Sequence, residues 1–554
     1  MPGPRPLLPH MSGRQKDLAA TLFLLAFCAL FFLPSLDVPP VSRQKELRVL
    51  VPARNMAHGG NWMIPDYLGT PRLRKPPLLY WVEAALFTLT GRTDSAYVAR
   101  LPAAAFSTGL LLLIYWGGRR LVGRRRALLG ATVAATSFLF IRHAGLAETD
   151  VPLTLAMAAA TLPAFRIADG RGRADLGTWA CFGLLSGLAF MIKGMSAVLP
   201  LVTLVVFGLA TPAARGSAFR LKGWLVALAL FALVSSPWYL YIHLWPYRDI
   251  TRTAIQSELK EALVVDDHPG TPDYYLRTLP VACLPWGLLL PLAAALLAWR
   301  GRGHAGTRFL LTWFAVSFLF MSFVKNKQFH YNVHLLPPAA LVAGWLWGRM
   351  PSARPAWLAR LLAGFSHAGF ILLAATAAAV TAWAAAYPPM RPALWPGVAL
   401  TVAIVGAGIA TVRRGHLARL LVSSVLILAA VQIYMFCLYP LNSNFVIRDF
   451  GKAIRPHTDR SERILALAAP SITASLEFYL DRPIRVLNTA ADLAGAGEHD
   501  VLIVCGNKKR ALPYLPALGE PVVSLVQEDV DPPGIRMRRD RVECRLYLPP
   551  FRGK

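Results

Sequence analysis

The sequence predicts an all-α polytopic membrane protein of about 13 transmembrane helices, with interfacial helices in its first periplasmic loop and a small C-terminal α/β domain. Three observations predict it. Of the 554 residues, 55% are hydrophobic and 16% charged, and the mean hydropathy is +0.45. A soluble domain of this length cannot enclose so much apolar surface, whereas repeated runs of about 20 apolar residues match the hydrocarbon thickness of a bilayer. The net charge of +28 comes from 58 Lys and Arg set in short clusters between the apolar runs, where membrane topology places them, which argues against nucleic-acid binding. From about Leu441 the composition shifts: ILALAAP (464–470), IRVL (484–487) and VLIVCG (501–506) read as short buried strands, and 471–480 as a helix.

The spans fall at 18–36, 98–117, 127–143, 148–165, 177–194, 196–211, 223–243, 279–299, 308–324, 332–348, 362–386, 392–412 and 417–439. Arg5, Arg14 and Lys16 precede the first run, and with no small-residue cleavage site the start reads as a retained signal anchor. If 77–91 lies in the interface, all the arginine-rich loops (119–126, 166–173, 215–222, 300–308, 349–360, 413–419) fall on one side. That side is the cytoplasm by the positive-inside rule. The expectation is a bacterial inner-membrane protein with a cytoplasmic N-terminus. Residues 1–440 form the membrane domain and 441–554 a periplasmic α/β domain. The six cysteines form no CxxC pair, and spacing leaves a Cys505–Cys544 disulfide open.

The first outer loop, 37–91, is too long for a simple connection and too polar for a span. Amphipathic pieces at 46–56 and 76–89 flank a Gly-Gly-Asn-Trp turn, a pattern suited to the membrane interface. Its candidates are Lys45, Glu46, Arg48, Arg54, Asn61, Trp62, Arg74, Lys75 and Tyr80. Glu46, the one carboxylate in 38–65, also reads as a surface salt-bridge partner of Lys45 or Arg48.

Ionisable groups at membrane depth are costly, so each invites a functional reading. Asp150, in AETDVPL, is either a helix N-cap or an acid at the outer mouth of a span. Lys193, in FMIKGMS, is either a snorkelling lysine or a cation for a phosphate. Lys325, Lys327, His330 and Tyr331, in VKNKQFHYN, lie on the side where basic residues are disfavoured, and their charges and donors suit a phosphate or pyrophosphate. The loop 244–278 carries Glu258, Glu261, Asp266, Asp267, His268, Tyr274 and Tyr275, a solvated acidic loop more than a metal cluster. No metal or other cofactor is signalled, though a divalent metal stays open.

GGNWMIPDYLGTPRLRKPPLLYW, AETDVPL, GLAFMIKG, SSPWYL, LPWGLLLP and SFVKNKQFHYNVHLLPP follow one another in an order that resembles the bacterial membrane glycosyltransferases related to the protein O-mannosyltransferases. Among these it is similar to the aminoarabinose transferases of lipid A. The resemblance implies a GT-C fold and transfer of a sugar, 4-amino-4-deoxy-L-arabinose, from a polyprenyl phosphate to lipid A or a related envelope acceptor at the periplasmic face. Membrane lipid is then a partner and nucleic acid is not. The candidates for the donor phosphate are Arg48, Lys75, Tyr80, Lys193, Lys325, Lys327, His330 and Tyr331, with Arg74, Glu258, His268 and Tyr274 as other candidate site residues. The chain departs from the family's Asp-Glu-x-Arg, Gly-Asp-Trp and Glu-Lys-Pro at Lys45, Asn61 and Arg74. A lysine is not a carboxylate-like base without a large shift. Asp150 therefore ranks first and Glu46 second as acid groups beside Lys45. The alternatives are an impaired relative that binds lipid-linked sugar, a transferase with another sugar or a protein acceptor and, last, a transporter, which would show repeat symmetry and mid-span charges.

Overall fold

The structure, a computed structural model, describes residues 12–169, 174–244, 270–301, 303–349, 356–386, 391, 394–412, 446–458, 463–487, 499–507, 521–526 and 542–547, with isolated residues between 423 and 430. Apolar helices dominate it. Among the described residues, seven are long and apolar enough to cross a membrane: Gly13–Ser35 (its regular part, α1, is Gly13–Phe31), α4 (Ala96–Val122), α7 (Asp150–Ala168), α8 (Leu176–Lys193), α11 (Leu221–Leu244), α14 (Ala305–Phe323) and, within α16 (Ala356–Ala386), Ala356–Ala379. The other α-helices through residue 412 are α2 (Gln44–Ala57), α3 (Leu78–Thr90), α5 (Arg124–Ala135), α6 (Phe138–His143), α9 (Leu199–Ala210), α10 (Pro212–Ala218), α12 (Tyr274–Ala282), α13 (Leu290–Arg300), α15 (Leu336–Trp347) and α17 (Leu394–Val412).

Several expected spans are therefore broken, for local reasons. The span expected at 127–143 divides into α5 and α6 at Thr136 and Ser137, whose hydroxyls bond the carbonyls of Thr132 and Val133. The span expected at 279–299 divides at Leu284-Pro285-Trp286, where proline offers no N–H. The run 196–211 begins as a 3-10 turn, Gly194–Val198, after Gly194 adopts a φ of +61° that a side chain would resist. Most of the span at 417–439 lies outside the described residues. The 13-residue α3, about 20 Å long, is too short to cross a bilayer core. Where helices do pack, small residues bring backbones close: a Cβ at Gly183 of α8 would sit 2.1 Å from the Ala227 carbonyl oxygen of α11.

The first loop folds back over one mouth of this bundle. Its α2 and α3 pack on each other around Leu47, Leu50, Val51, Leu79, Ala84 and Phe87, with a two-residue hairpin (β1 Asp66–Tyr67, β2 Thr70–Pro71) between them. Asn61 accepts the N–H groups of Met63 and Ile64, a turn that asparagine forms as well as aspartate.

The C-terminal residues form α18 (Val446–Thr458), β3 (Ile464–Ala468), α19 (Pro470–Leu480), β4 (Ile484–Val486), β5 (Val501–Asn507), β6 (Val523–Val526) and β7 (Val542–Tyr547). The sheet order is β4-β3-β5-β7-β6, with β4, β3 and β5 parallel and β7 antiparallel to both its neighbours. Cys505 and Cys544 face each other across β5 and β7 and are disulfide-bonded. This unit docks on α2. Arg54 meets Glu477 at 2.7 Å with both side chains buried, the Val41 N–H donates to the Tyr479 hydroxyl at 2.7 Å, and the Ser475 hydroxyl donates to the Val41 carbonyl at 2.5 Å.

Candidate active site

Four segments converge at the mouth covered by the first loop. The N-terminus of α2 brings Lys45. The turn from α6 into α7 brings His143, Glu148, Thr149 and Asp150. The C-terminus of α8 ends on Lys193. A 3-10 turn, Phe329–His334, brings His330, Tyr331 and His334. Asp150 is the centre. Its carboxylate, 2% exposed, accepts from the Lys193 ammonium at 2.6 Å and lies 3.5 Å from His330 Nε2 and 3.9 Å from His334 Nε2. Lys193 also stands over the Tyr331 ring, 4.5 Å from its centroid. Lys45 Nζ reaches His330 Nε2 at 2.7 Å. Glu148 bonds His143 at 3.1 Å, and Lys75 donates to the Thr149 hydroxyl at 3.4 Å.

Protonation states follow from the surroundings. Burial holds His330 and His334 down at about 3, outweighing the pull of Asp150, so both rings are neutral near pH 7. The Thr154 hydroxyl lies 2.7 Å from both the Asp150 carbonyl oxygen and His334 Nδ1, which ties that ring to the start of α7. Desolvation draws Lys45 below the usual lysine value, while Asp150 and Glu148 pull it back up. The result is a carboxylate held by one lysine directly and linked to a second through an uncharged imidazole.

Of the residues expected from sequence, Lys45, Asp150, Lys193, His330 and Tyr331 are brought together, and Lys75 approaches through Thr149. Others are placed elsewhere. Glu46 is fully buried and faces away from the cluster. Arg100 of α4 grips both its oxygens, at 2.8 and 2.9 Å, and the Ala147 N–H donates to it at 3.2 Å. Its partner is thus neither Lys45 nor Arg48: one residue along a helix turns a side chain by about 100°. Lys327 is also buried, its ammonium donating to the carbonyls of Met321, Ser322 and Val324, so it caps the C-terminus of α14 instead of joining the Asp150 cluster. Lys325 and Arg74 are exposed, Tyr80 lies in the α2–α3 core, and Tyr274 packs edge-on against Tyr275. Arg48 sits close enough to Lys45 to repel its charge. Glu258 and His268 lie outside the described residues. Sequence reasoning missed His334 and Arg100. The first repeats His330 one helical turn on, and the second is an arginine inside an expected span, which by itself signals a partner.

An apolar cavity of about 950 Å³ opens on the Arg100 side of α2. Phe31, Phe138, Trp286, Trp347, Phe365 and Leu372 are among its walls, and Arg43, Arg100 and Arg142 line it too. Arg43 lies two residues before Lys45, and Arg142 immediately precedes His143.

A family model described as dolichyl-phosphate-mannose-protein mannosyltransferase matches residues 74–241. An undecaprenyl phosphate-α-4-amino-4-deoxy-L-arabinose arabinosyl transferase of Pectobacterium carotovorum is 33% identical over 349 residues, 61% of this chain and 60% of that protein. Its namesake in Pseudomonas aeruginosa PAO1 is 31% identical over 341 residues, 60% of each. The chain thus spans about 60% of the length of the curated relatives it matches. The crystal structure of ArnT from Cupriavidus metallidurans bound to undecaprenyl phosphate superposes with a TM-score of 0.74 at 17% identity, covering 97% of this chain and 99% of that one. The chain has the GT-C fold. The resemblance read from its motifs is borne out, and the Archaeoglobus fulgidus oligosaccharyltransferase, at a TM-score of 0.51, 11% identity and coverage of 91% and 71%, shows how widely the GT-C architecture is shared.

Proposed function

We propose that this chain transfers 4-amino-4-deoxy-L-arabinose from undecaprenyl phosphate to lipid A or a related envelope acceptor. The transfer takes place at the periplasmic mouth of an inner-membrane bundle whose N-terminus is cytoplasmic and whose C-terminal unit is periplasmic. The observation that carries this reading is the Asp150–Lys193–His330–Lys45 cluster, accompanied by an apolar cavity whose lining residues Arg43 and Arg142 lie within two residues of Lys45 and His143 in the chain. The names of the relatives point to the same donor.

In this reading the lipid chain lies in the cavity, with its phosphate toward the cluster. An acceptor oxygen bonds to the anomeric carbon as the bond from that carbon to the phosphate oxygen breaks, and the electron pair leaves with the polyprenyl phosphate. Lys193, Lys45 and Lys75 stabilise that leaving charge. Asp150 orients the two nearer lysines. When the acceptor is a hydroxyl, Asp150 takes its proton, whereas an ionised phosphate acceptor needs no base. Lysines already engage Asp150 and His330, and among the described residues no group of three His, Cys, Asp or Glu is placed to hold a metal, so no step is routed through one.

Mass spectrometry of lipid A from cells with and without the gene tests the reading. An aminoarabinose-bearing species that disappears on deletion and returns with the wild-type gene supports it, and unchanged lipid A rejects it. An active C-terminal alkaline phosphatase fusion checks the orientation. The second reading, an impaired relative, is favoured by the amine at position 45. If Lys45→Asp raises transfer sharply, the natural chain is that relative.

A further inference from the structure

A donor built from undecaprenyl phosphate and 4-amino-4-deoxy-L-arabinose carries two opposite charges, the phosphate and, across the pyranose ring, an ammonium. The lysines at the mouth answer the first. The second calls for a carboxylate with no fixed cation of its own. The described carboxylates of the first loop and of the turn into α7 differ in this respect. Asp37 is exposed at the start of the loop. Glu46 is closed by Arg100. Asp66 is turned into its hairpin, where the Gly69 N–H and the Asn55 amide donate to it at 3.1 and 3.3 Å. Glu83 is 1% exposed, with both oxygens enclosed. Asp150 receives the Lys193 ammonium at 2.6 Å. Lys45, Asn61 and Arg74 bring no carboxylate at all.

Glu148 is the remaining one. It is 6% exposed, its Oε2 meets Nδ1 of His143 at 3.1 Å, and its Oε1 has no hydrogen-bond partner among the described residues. An ionised carboxylate accepts at both oxygens, so the bond to His143 leaves room for an ammonium. The His143 ring stands 6.3 Å from the ring of His330, which meets Lys45 at 2.7 Å and lies 3.5 Å from Asp150. Glu148 therefore belongs to the same mouth. It lies two residues before Asp150, so their Cα atoms are at most about 7 Å apart, the scale of one sugar ring. A pyranose whose anomeric carbon faces Asp150 can thus present its amine to Glu148.

We propose that Glu148 is a specificity-determining residue that binds the ammonium of the donor's amino sugar, with His143 orienting its carboxylate. This inference rests on the transfer reading above and adds what selects the sugar. Lysines hold the phosphate end of a zwitterionic donor, and Glu148 holds the amine end. A neutral pentose presents a hydroxyl at that position, and a hydroxyl bonds a carboxylate less strongly than an ammonium does.

The test compares two synthetic donors, undecaprenyl phosphate bearing either 4-amino-4-deoxy-L-arabinose or L-arabinose. The full-length protein in detergent transfers from each to lipid A, and mass spectrometry reads the product. Wild type should favour the amino donor by about ten-fold or more in kcat/KM. Glu148→Gln should lower kcat/KM for the amino donor about ten-fold, mainly through KM, and change the arabinose donor by less than about two-fold. Glu148→Asp keeps the charge but shortens its reach, so it should cost the amino donor about three-fold and spare the other. That variant decides the matter if Glu148→Gln does not fold. Equal use of both donors by wild type, or an equal fall for both in the variants, would overturn the proposal while leaving the transfer reading intact. Transfer from neither donor by wild type would overturn that reading and the proposal with it.

Discussion

Two buried charge systems lie on either side of the N-terminal part of α2, and they are built differently. On one side Glu46 and Arg100 are 0% and 1% exposed, and together they accept or donate to Ala147, Leu36, Pro39 and Pro40 with both carboxylate oxygens and several guanidinium hydrogens engaged. On the other, Asp150 is bonded to one lysine, faces two neutral rings at 3.5 and 3.9 Å, and links to an exposed Lys45. The first is closed and self-satisfied, which is what a structural joint requires. The second sets its carboxylate against an ammonium and two neutral rings, with Lys45 at a solvent edge, which suits a site that must bind an anion. Neighbouring residues of the same charge class thus take opposite roles, and satisfaction of hydrogen bonds, not charge or burial, separates them.

The comparison predicts a ranking. Arg100→Met strands a buried carboxylate and should destabilise the protein by about 3–5 kcal/mol, read as loss of the folded peak on size exclusion of the detergent-solubilised protein. A well-folded variant would mean that Glu46 is not a joint. Asp150→Asn should leave folding near wild type but lower transfer about 100-fold or more, and Glu46→Gln should lower stability ahead of transfer. The reverse pattern would exchange the two roles. Lys193→Ala should cost about ten-fold in transfer, only partly recovered by Lys193→Arg because the fork does not replace a point charge.

Acid should act on the open system. His330 and His334 hold values near 3, below an unfolded histidine near 6.5, so between those values the unfolded chain binds more protons and stability falls as the pH drops below about 6.5. Each ring contributes a slope of at most about 1.4 kcal/mol per pH unit in that window. Thermal unfolding of wild type and His334→Gln from pH 7 to 5 should show the flatter dependence in the variant, and parallel curves would remove the assignment. The smallest expected effect is Lys325→Ala, at under about two-fold in transfer, whereas Lys327→Ala should lower thermal stability through the lost helix cap.

Much of this was legible in the sequence because it depends on local chemistry. Apolar runs announced the bundle, and FMIKGMS and AETDVPL placed Lys193 and Asp150 at the ends of helices that meet. The strands ILALAAP and VLIVCG stood out by composition. What was not legible depends on side-chain direction and distant partners. Nothing local distinguishes Lys325 from Lys327, yet one points to solvent and the other into a helix end. Glu46 and Lys45 differ by one position and face different neighbours. The partner of Glu46 is 54 residues away, and that of Arg54 is 423. The break within the expected span at Thr136 and Ser137 was hidden because hydroxyl residues with the same backbone bonds also sit inside unbroken helices, as Thr108 and Ser235 do.

The pairing of Arg54 with Glu477 also sets an order of events during synthesis. The helix that carries Lys45 is made early, but the surface that clasps its far end is 423 residues further along the chain. At roughly 5–20 residues per second the ribosome needs about 20–80 s to deliver it. Through that interval Arg54 has a hydrated or borrowed partner and α2 lacks its final support. The mouth of the bundle is thus completed by the end of translation, so a chain stalled before Glu477 would insert most of its spans without fixing the helix that presents Lys45.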